Sequence, residues 1–171
     1  MNPIVIYKSK YGAASQYAHW IGTQLNSTVI EADDVDLEKL SSYEPLIIGS
    51  SVYIGKMLIA KWLAKNAALL SGKKILLFVV CGTGKDKQEE RMAYITKSVP
   101  SGIRENCQVF FLPGKMKVSA LSFLDRSLLK MGARMAGKKA AEQMLRDYND
   151  VKVEHISELF DAVKKMQKQL V

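Results

Sequence analysis

Short runs of apolar residues, separated by stretches of helical periodicity, set the strongest limit on what this chain can become. Ile4-Val5-Ile6-Tyr7, Pro45-Leu46-Ile47-Ile48-Gly49 and Ile75-Leu76-Leu77-Phe78-Val79-Val80 contain almost no polar residue. Such runs suit strands covered on both faces, as in a parallel sheet, and lack the in–out alternation of a half-exposed strand. Thr28 to Glu31 and Gln108 to Leu112 read as two further strands. Between them, Tyr17, Ala18, Ile21 and Leu25 recur at helical spacing, and so do Ile59, Trp62, Leu63 and Leu69 within Leu58 to Leu70. Asp33 to Leu40 reads as a loop with a short helix, and Lys87 to Ser98 as a charged helix. Strands alternating with helices build βαβ units, whose crossovers are right-handed. The expected fold is therefore α/β, a doubly wound five-stranded parallel sheet, and 171 residues suit a single domain over the whole chain.

After the fifth strand the pattern changes. Lys115 to Lys139 is one long amphipathic segment with Leu121, Phe123, Leu124, Leu128, Leu129, Met131 and Met135 as its apolar members. It carries seven basic residues against the single acid Asp125, which accounts for most of the net charge of +8. It reads as a basic helical insert. An apolar stripe with lysines opposite also suits a helix packed on the core with a solvated face. Val153 to Leu170 reads as a final helix, with Ile156, Leu159, Phe160, Val163, Met166 and Leu170 at core spacing.

Several function classes are disfavoured at this point. No stretch reaches the roughly 18 to 20 apolar residues of a membrane span. The first residues enter a strand directly, without the charged and apolar regions of a signal peptide, so a cytoplasmic location is expected. Cys81 and Cys107 lie far apart and form no C-x-x-C pair, which argues for two free thiols and no metal site. His19 and His155 have no ligand-like neighbours at metal spacing. The basic insert lacks the interleaved aromatics and recognition motifs of a nucleic-acid binder. Its charge leaves an anionic substrate, an anionic membrane surface or an acidic partner.

Three loops leave the C-terminal ends of strands, where ligands of doubly wound sheets bind. The first is Ser9-Lys10-Tyr11-Gly12-Ala13-Ala14-Ser15, between a strand and a helix. Unpaired amides and the dipole at a helix start attract a phosphate, and Gly12 lets the backbone come close. The same loop also reads as an ordinary βα turn. The second, within Ser50 to Met57, holds Ser51, Val52, Tyr53, Ile54 and Gly55. There an aromatic ring at a strand end suits stacking on a planar ligand. The third holds Gly82, Thr83 and Gly84. Gly82-x-Gly84 fails the dinucleotide fingerprint, because Lys87 stands at the third glycine. Gly132 to Lys138 fits G-x-x-x-x-G-K, but Lys139 replaces the magnesium-binding hydroxyl and no strand precedes it.

Three such loops in this order resemble the flavodoxin family. Its first loop, T/S-x-T-G-x-T, wraps the phosphate of FMN. Ser9 and Gly12 match that pattern, and Ala14 stands where the closing Thr belongs, with Ser15 one step later. The resemblance implies strand order 2-1-3-4-5. It also implies one bound FMN: the first loop on the phosphate, the second against the ring with Tyr53 stacking, and Gly82, Thr83 and Gly84 along the pyrimidine edge. Gly49-Ser50-Ser51-Val52 followed by Gly55 further resembles the second loop of the flavodoxin-like, quinone-dependent protoporphyrinogen oxidases. Those proteins have Tyr directly before the glycine, where Ile54 stands here. Phe123-Leu124-Asp125-Arg126, with Lys130, Arg134 and Met135, resembles their basic insert. The resemblance implies an FMN-dependent oxidoreductase with a quinone acceptor. Its insert would then take an anionic substrate or rest peripherally on the inner face of the membrane. The other reading is an electron-transfer flavodoxin with a redox partner and no small substrate. An apolar insert outside the core also allows a homodimer. No side chain stands out as a catalytic acid or base.

Overall fold

The computed structural model describes residues 2–168. In chain order its elements are β1 (Ile4–Lys8), α1 (Ala13–Leu25), β2 (Thr28–Glu31), β3 (Leu46–Tyr53), β4 (Lys56–Met57), α2 (Ala60–Lys65), α3 (Ala67–Leu70), β5 (Ile75–Cys81), α4 (Gln88–Ser98), α5 (Ser101–Arg104), β6 (Cys107–Pro113), β7 (Lys115–Met116), α6 (Phe123–Met135), α7 (Lys138–Met144), β8 (Tyr148–Asn149) and α8 (Ser157–Lys168). Short 3₁₀ turns fill Ala32–Asp34, Lys39–Ser42, Val118–Ala120 and Val153–Ile156.

The chain divides into two compact units. One comprises the residues up to Gly114 together with those from Val151 onward, and the other is Lys115–Asp150. In the first unit, five parallel strands lie in the order β2-β1-β3-β5-β6. Counting parallel strands alone, this is the expected 2-1-3-4-5, because β4 is a two-residue strand paired antiparallel to the end of β3. Every residue of β5 is buried. As the central apolar run, it is flanked by β3 on one side and β6 on the other. One core layer joins Ile6, Ile48, Leu63, Leu77 and Ile95, and the other joins Val5, Tyr17, Ile21, Phe78 and Leu159. Side chains that alternate along each strand thus feed two opposite layers, and each buried Ile, Leu or Phe contributes roughly 1.5–3 kcal/mol. Gly49 sits against the Phe78 ring, and a Cβ there would overlap it.

Several expected boundaries differ. The helix expected over Leu58 to Leu70 is two short helices broken at Asn66, whose side-chain amide donates to Trp62 O at 2.9 Å. The final helix begins at Ser157, after a 3₁₀ turn, and the expected Leu170 lies outside the described residues. In the second unit, the single amphipathic segment expected over Lys115 to Lys139 contains the short strand β7, a turn and α6 before α7 starts. β7 pairs antiparallel with β8, and Asp147 accepts from Val118 N–H at 2.8 Å to close that unit's base. Ser122 Oγ caps α6 by accepting from Asp125 N–H. Among the described residues, no helix is long and apolar enough to cross a membrane.

Candidate functional site

β1 and β3 are adjacent and parallel, yet β2 follows β1 outward on one side while β5 extends the sheet on the other. The strand order therefore reverses between β1 and β3, and the loops after β1, β3 and β5 share that C-terminal edge. Register fixes their relative height, with Lys8 opposite Ser50 and Ser51 opposite Val80.

The first loop is shorter than its expected span. Ala13, Ala14 and Ser15 already belong to α1, and Gly12 precedes them at φ +80°. A residue with a side chain rarely adopts that conformation, so glycine suits this turn. The first helical hydrogen bond runs from Gln16 N–H to Gly12 O at 3.0 Å. The amides of Ala13, Ala14 and Ser15 thus stand ahead of the bonded turns, and no side chain caps them. Ala14 is fully buried, its methyl within the α1 side of the core, so it offers the loop an amide and no hydroxyl. Ser15 stays near His19, whose Nδ1 lies 2.8 Å from Ser15 O. Ser9 Oγ is buried and has no hydrogen-bond partner among the described residues. A buried hydroxyl without a partner is costly. This one sits in the loop that runs into the open helix start. Serine at the loop's first position, glycine at its turn and bare amides behind are the donors a phosphate ester requires, so the residues present fit the phosphate end of FMN.

The second loop departs from the expected form. Residues 50–57 make a β-hairpin: β3 runs on through Tyr53, turns at Ile54 and Gly55, and returns as β4, with Tyr53 paired to Lys56. Both turn residues have positive φ, +47° at Ile54 and +72° at Gly55, as a two-residue hairpin turn of type I′ demands. Ile54 hid this turn from the sequence, because a β-branched residue is unfavourable at positive φ. Its side chain is 70 % exposed. Ser50 faces inward, where its Oγ accepts from Ile59 N–H at 3.2 Å, so it braces the hairpin. Lys10 Nζ lies 4.1 Å from the centre of the Tyr53 ring, which brings the first and second loops together.

The third loop is held from α4. Arg91 donates to Thr83 O from Nε and Nη2 and stacks on Phe111, 5.2 Å from its ring centre. Thr83 Oγ1 and Tyr94 Oη lie 2.7 Å apart, and Tyr94 donates to Glu90 at 2.6 Å. Burial, then the bond to Glu90, pushes the Tyr94 phenol up to about 12. Burial likewise raises the Cys81 thiol at the loop's start. Sequence reasoning missed this brace because α4 reads as a charged, solvated helix. Its signal was Glu90, Arg91 and Tyr94 on one helical face, one turn beyond a glycine-rich loop.

Beside Tyr53 runs a groove of about 730 Å³ between β4, α2 and the end of α4. Its lining includes apolar Met57, Leu58 and Val99 and the cations Lys56, Lys61 and Lys97, with no acidic residue. Among the described residues, no group of three or more His, Cys, Asp or Glu side chains is placed to hold a metal.

The family model for the flavodoxin domain matches residues 4–143. The chain belongs to the flavodoxin-domain family. No curated protein sequence matches it. Among solved structures it is similar to an archaeal flavodoxin at 21 % identity and TM-score 0.46, covering 85 % of this chain and 100 % of that one. It is similar to Flavodoxin 2 of Bacillus cereus at 14 % identity and TM-score 0.45, covering 85 % and 96 %. A third is the Trp repressor binding protein of Bacillus subtilis, at 14 % identity and TM-score 0.44, covering 68 % and 85 %. Within this flavodoxin-like fold, the predicted residues gather at the C-terminal edge of the sheet: Ser9 to Gly12 in the loop after β1, Ala13 to Ser15 in the first turn of α1, Ser51 to Tyr53 at the end of β3, Ile54 and Gly55 in its hairpin turn, and Gly82 to Gly84 in the loop after β5.

Proposed function

We propose that this flavodoxin-like protein binds one FMN and acts as an FMN-dependent oxidoreductase of the protoporphyrinogen oxidase-like kind, with a quinone as acceptor. The observation that carries the cofactor reading is the buried, unpartnered Ser9 Oγ beside the uncapped start of α1. When bound, FMN supplies hydride or single-electron chemistry. The chain's part is to bind and orient it. Ser9 and the amides from Gly12 to Ser15 take the phosphate, with Lys10 and Tyr11 beside them. Ser51, Val52, Tyr53, Ile54 and Gly55 flank the ring. Gly82, Thr83 and Gly84 line its polar edge, with Arg91 fixing that loop.

The oxidase reading draws support from the lysine-rimmed groove that starts at Tyr53. Three lysines over an apolar floor suit an anionic, largely apolar molecule, as a porphyrin precursor with carboxylate arms is. Burial raises both thiols above their ordinary range, so neither is an activated thiolate nucleophile. The test is the visible spectrum of protein reconstituted with FMN, followed by anaerobic turnover of protoporphyrinogen with a quinone. A flavin spectrum with turnover supports the whole reading. A flavin spectrum without turnover leaves an electron-transfer flavodoxin that serves a protein partner. Absence of bound flavin overturns both.

A further inference from the structure

Tyr53, the aromatic residue of the second loop, is framed by lysines from two separate segments. Lys10 of the first loop holds its Nζ 4.1 Å from the centre of the Tyr53 ring and 5.7 Å from that of Tyr11. It reaches Tyr53 because β1 and β3 are neighbours in the sheet, with Lys8 opposite Ser50. Lys56 stands directly opposite Tyr53 across the β3–β4 hairpin, and side chains so paired share one face of the ribbon. Lys10 and Lys56 are the only charged residues within 9–15 and 50–57. In the third loop, Lys85 and Asp86 carry opposite charges, and Lys8 at the end of β1 pairs with Asp33.

An ammonium over a tyrosine face is held there by the negative face of the ring. Lys10 belongs to the loop assigned to the phosphate, yet its ammonium lies at the aromatic of the loop assigned to the flavin ring. Tyr53 thus keeps a cation beside any planar group that stacks on it, and Lys56 adds a second. Charge near a flavin ring sets its electronics. Two electrons and one proton added to an oxidised flavin leave one negative charge on a ring that was neutral. Cations beside that ring therefore favour its reduced form over its oxidised form. Resting on the FMN reading above, we propose that Lys10 and Lys56, held at Tyr53, raise the two-electron reduction potential of the flavin. A raised potential suits a site that takes electrons from a substrate, whereas a low one suits a site that delivers them.

The full-length protein loaded with FMN is to be titrated anaerobically in a spectroelectrochemical cell, without substrate, beside Lys10→Met, Lys56→Met, the double variant and Lys10→Arg. Each methionine variant is expected to lower the equilibrium constant for two-electron reduction roughly threefold. The double variant is expected to lower it roughly tenfold, about 30 mV for two electrons. Both lysines are exposed, so the shift is expected to shrink as salt rises. Lys10→Arg keeps the cation and is expected to keep the potential. Affinity for oxidised FMN, titrated by flavin fluorescence, is read in the same proteins. A lysine that merely holds the loop or the phosphate would lower that affinity and leave the potential where it was. That result, or a potential that rises in the methionine variants, overturns the proposal while the FMN reading stands. A full-length protein that binds no FMN overturns both.

Discussion

The Arg91 guanidinium donates to the carbonyl oxygen of Thr83 from both Nε, at 3.0 Å, and Nη2, at 2.7 Å. A charged fork closing on one carbonyl fixes the loop after β5 to the helix that follows it, and Arg91 is itself buried. Arg91→Ala removes both bonds and the contact with Phe111, so a loss of roughly 1.5–3 kcal/mol in urea unfolding is expected. A loosened Gly82–Gly84 loop is also expected to weaken the proposed FMN binding. Arg91→Lys restores the charge without the fork and is expected to recover only part of each effect. A fully stable Arg91→Ala protein with unchanged FMN affinity would contradict the brace.

Ile54 is a β-branched residue at φ +47°, exposed at the tip of the β3–β4 hairpin. A residue held there costs of order 1–3 kcal/mol, and little apolar burial offsets it. Ile54→Asn yields Asn-Gly, the preferred pair for this turn, so thermal unfolding is expected to move upward by the equivalent of about 1 kcal/mol. Because Ile54 belongs to the loop assigned to the flavin ring, the same variant is expected to release FMN faster in stopped-flow measurements. A less stable variant would show that this turn is not strained by its isoleucine.

The Tyr94 phenol sits at about 12 in the folded chain against 10.0 in its ordinary state, mainly through burial. Between those values the folded state keeps a proton that the unfolded state gives up. Stability therefore falls as pH rises from about 10 towards 12, and below that window the contribution is constant. Tyr94→Phe is expected to flatten part of this decline in urea titrations. The Cys107 thiol, pushed from 9.0 to about 12 by burial, adds to the decline. Its thiolate is scarce at neutral pH, so it is expected to react with thiol reagents much more slowly in the folded than in the unfolded chain.

The sheet was legible in the sequence because its strands are buried on both faces. Ile75 to Val80 and Ile4 to Tyr7 admit little else, and the strand order followed from the resemblance at Ser9, Gly12 and Gly49 to Val52. The hairpin after β3 was not legible, since Ile54 stands where turn chemistry would place Asn or Gly. Nor was the brace on the third loop, because Arg91 reads as a surface charge until the fold buries it. The insert's charge and apolar stripe were visible from Lys115 to Lys139. Their two readings, packed or exposed, separated only with the exposure of Leu124 and Met135. Ser9 shows the other limit, because the sequence gives a hydroxyl and the fold alone leaves it buried without a partner.

That hydroxyl gives the most direct test. Binding of FMN and of riboflavin, which lacks the phosphate, is to be titrated into the full-length protein and into Ser9→Ala by flavin fluorescence. The account predicts one FMN per chain, at least roughly tenfold tighter than riboflavin, with Ser9→Ala erasing about 1–3 kcal/mol of that preference while the flavin-free protein is no less stable. Equal affinity for FMN and riboflavin, or no flavin binding, would mean that the loop after β1 is an ordinary turn and would contradict the account.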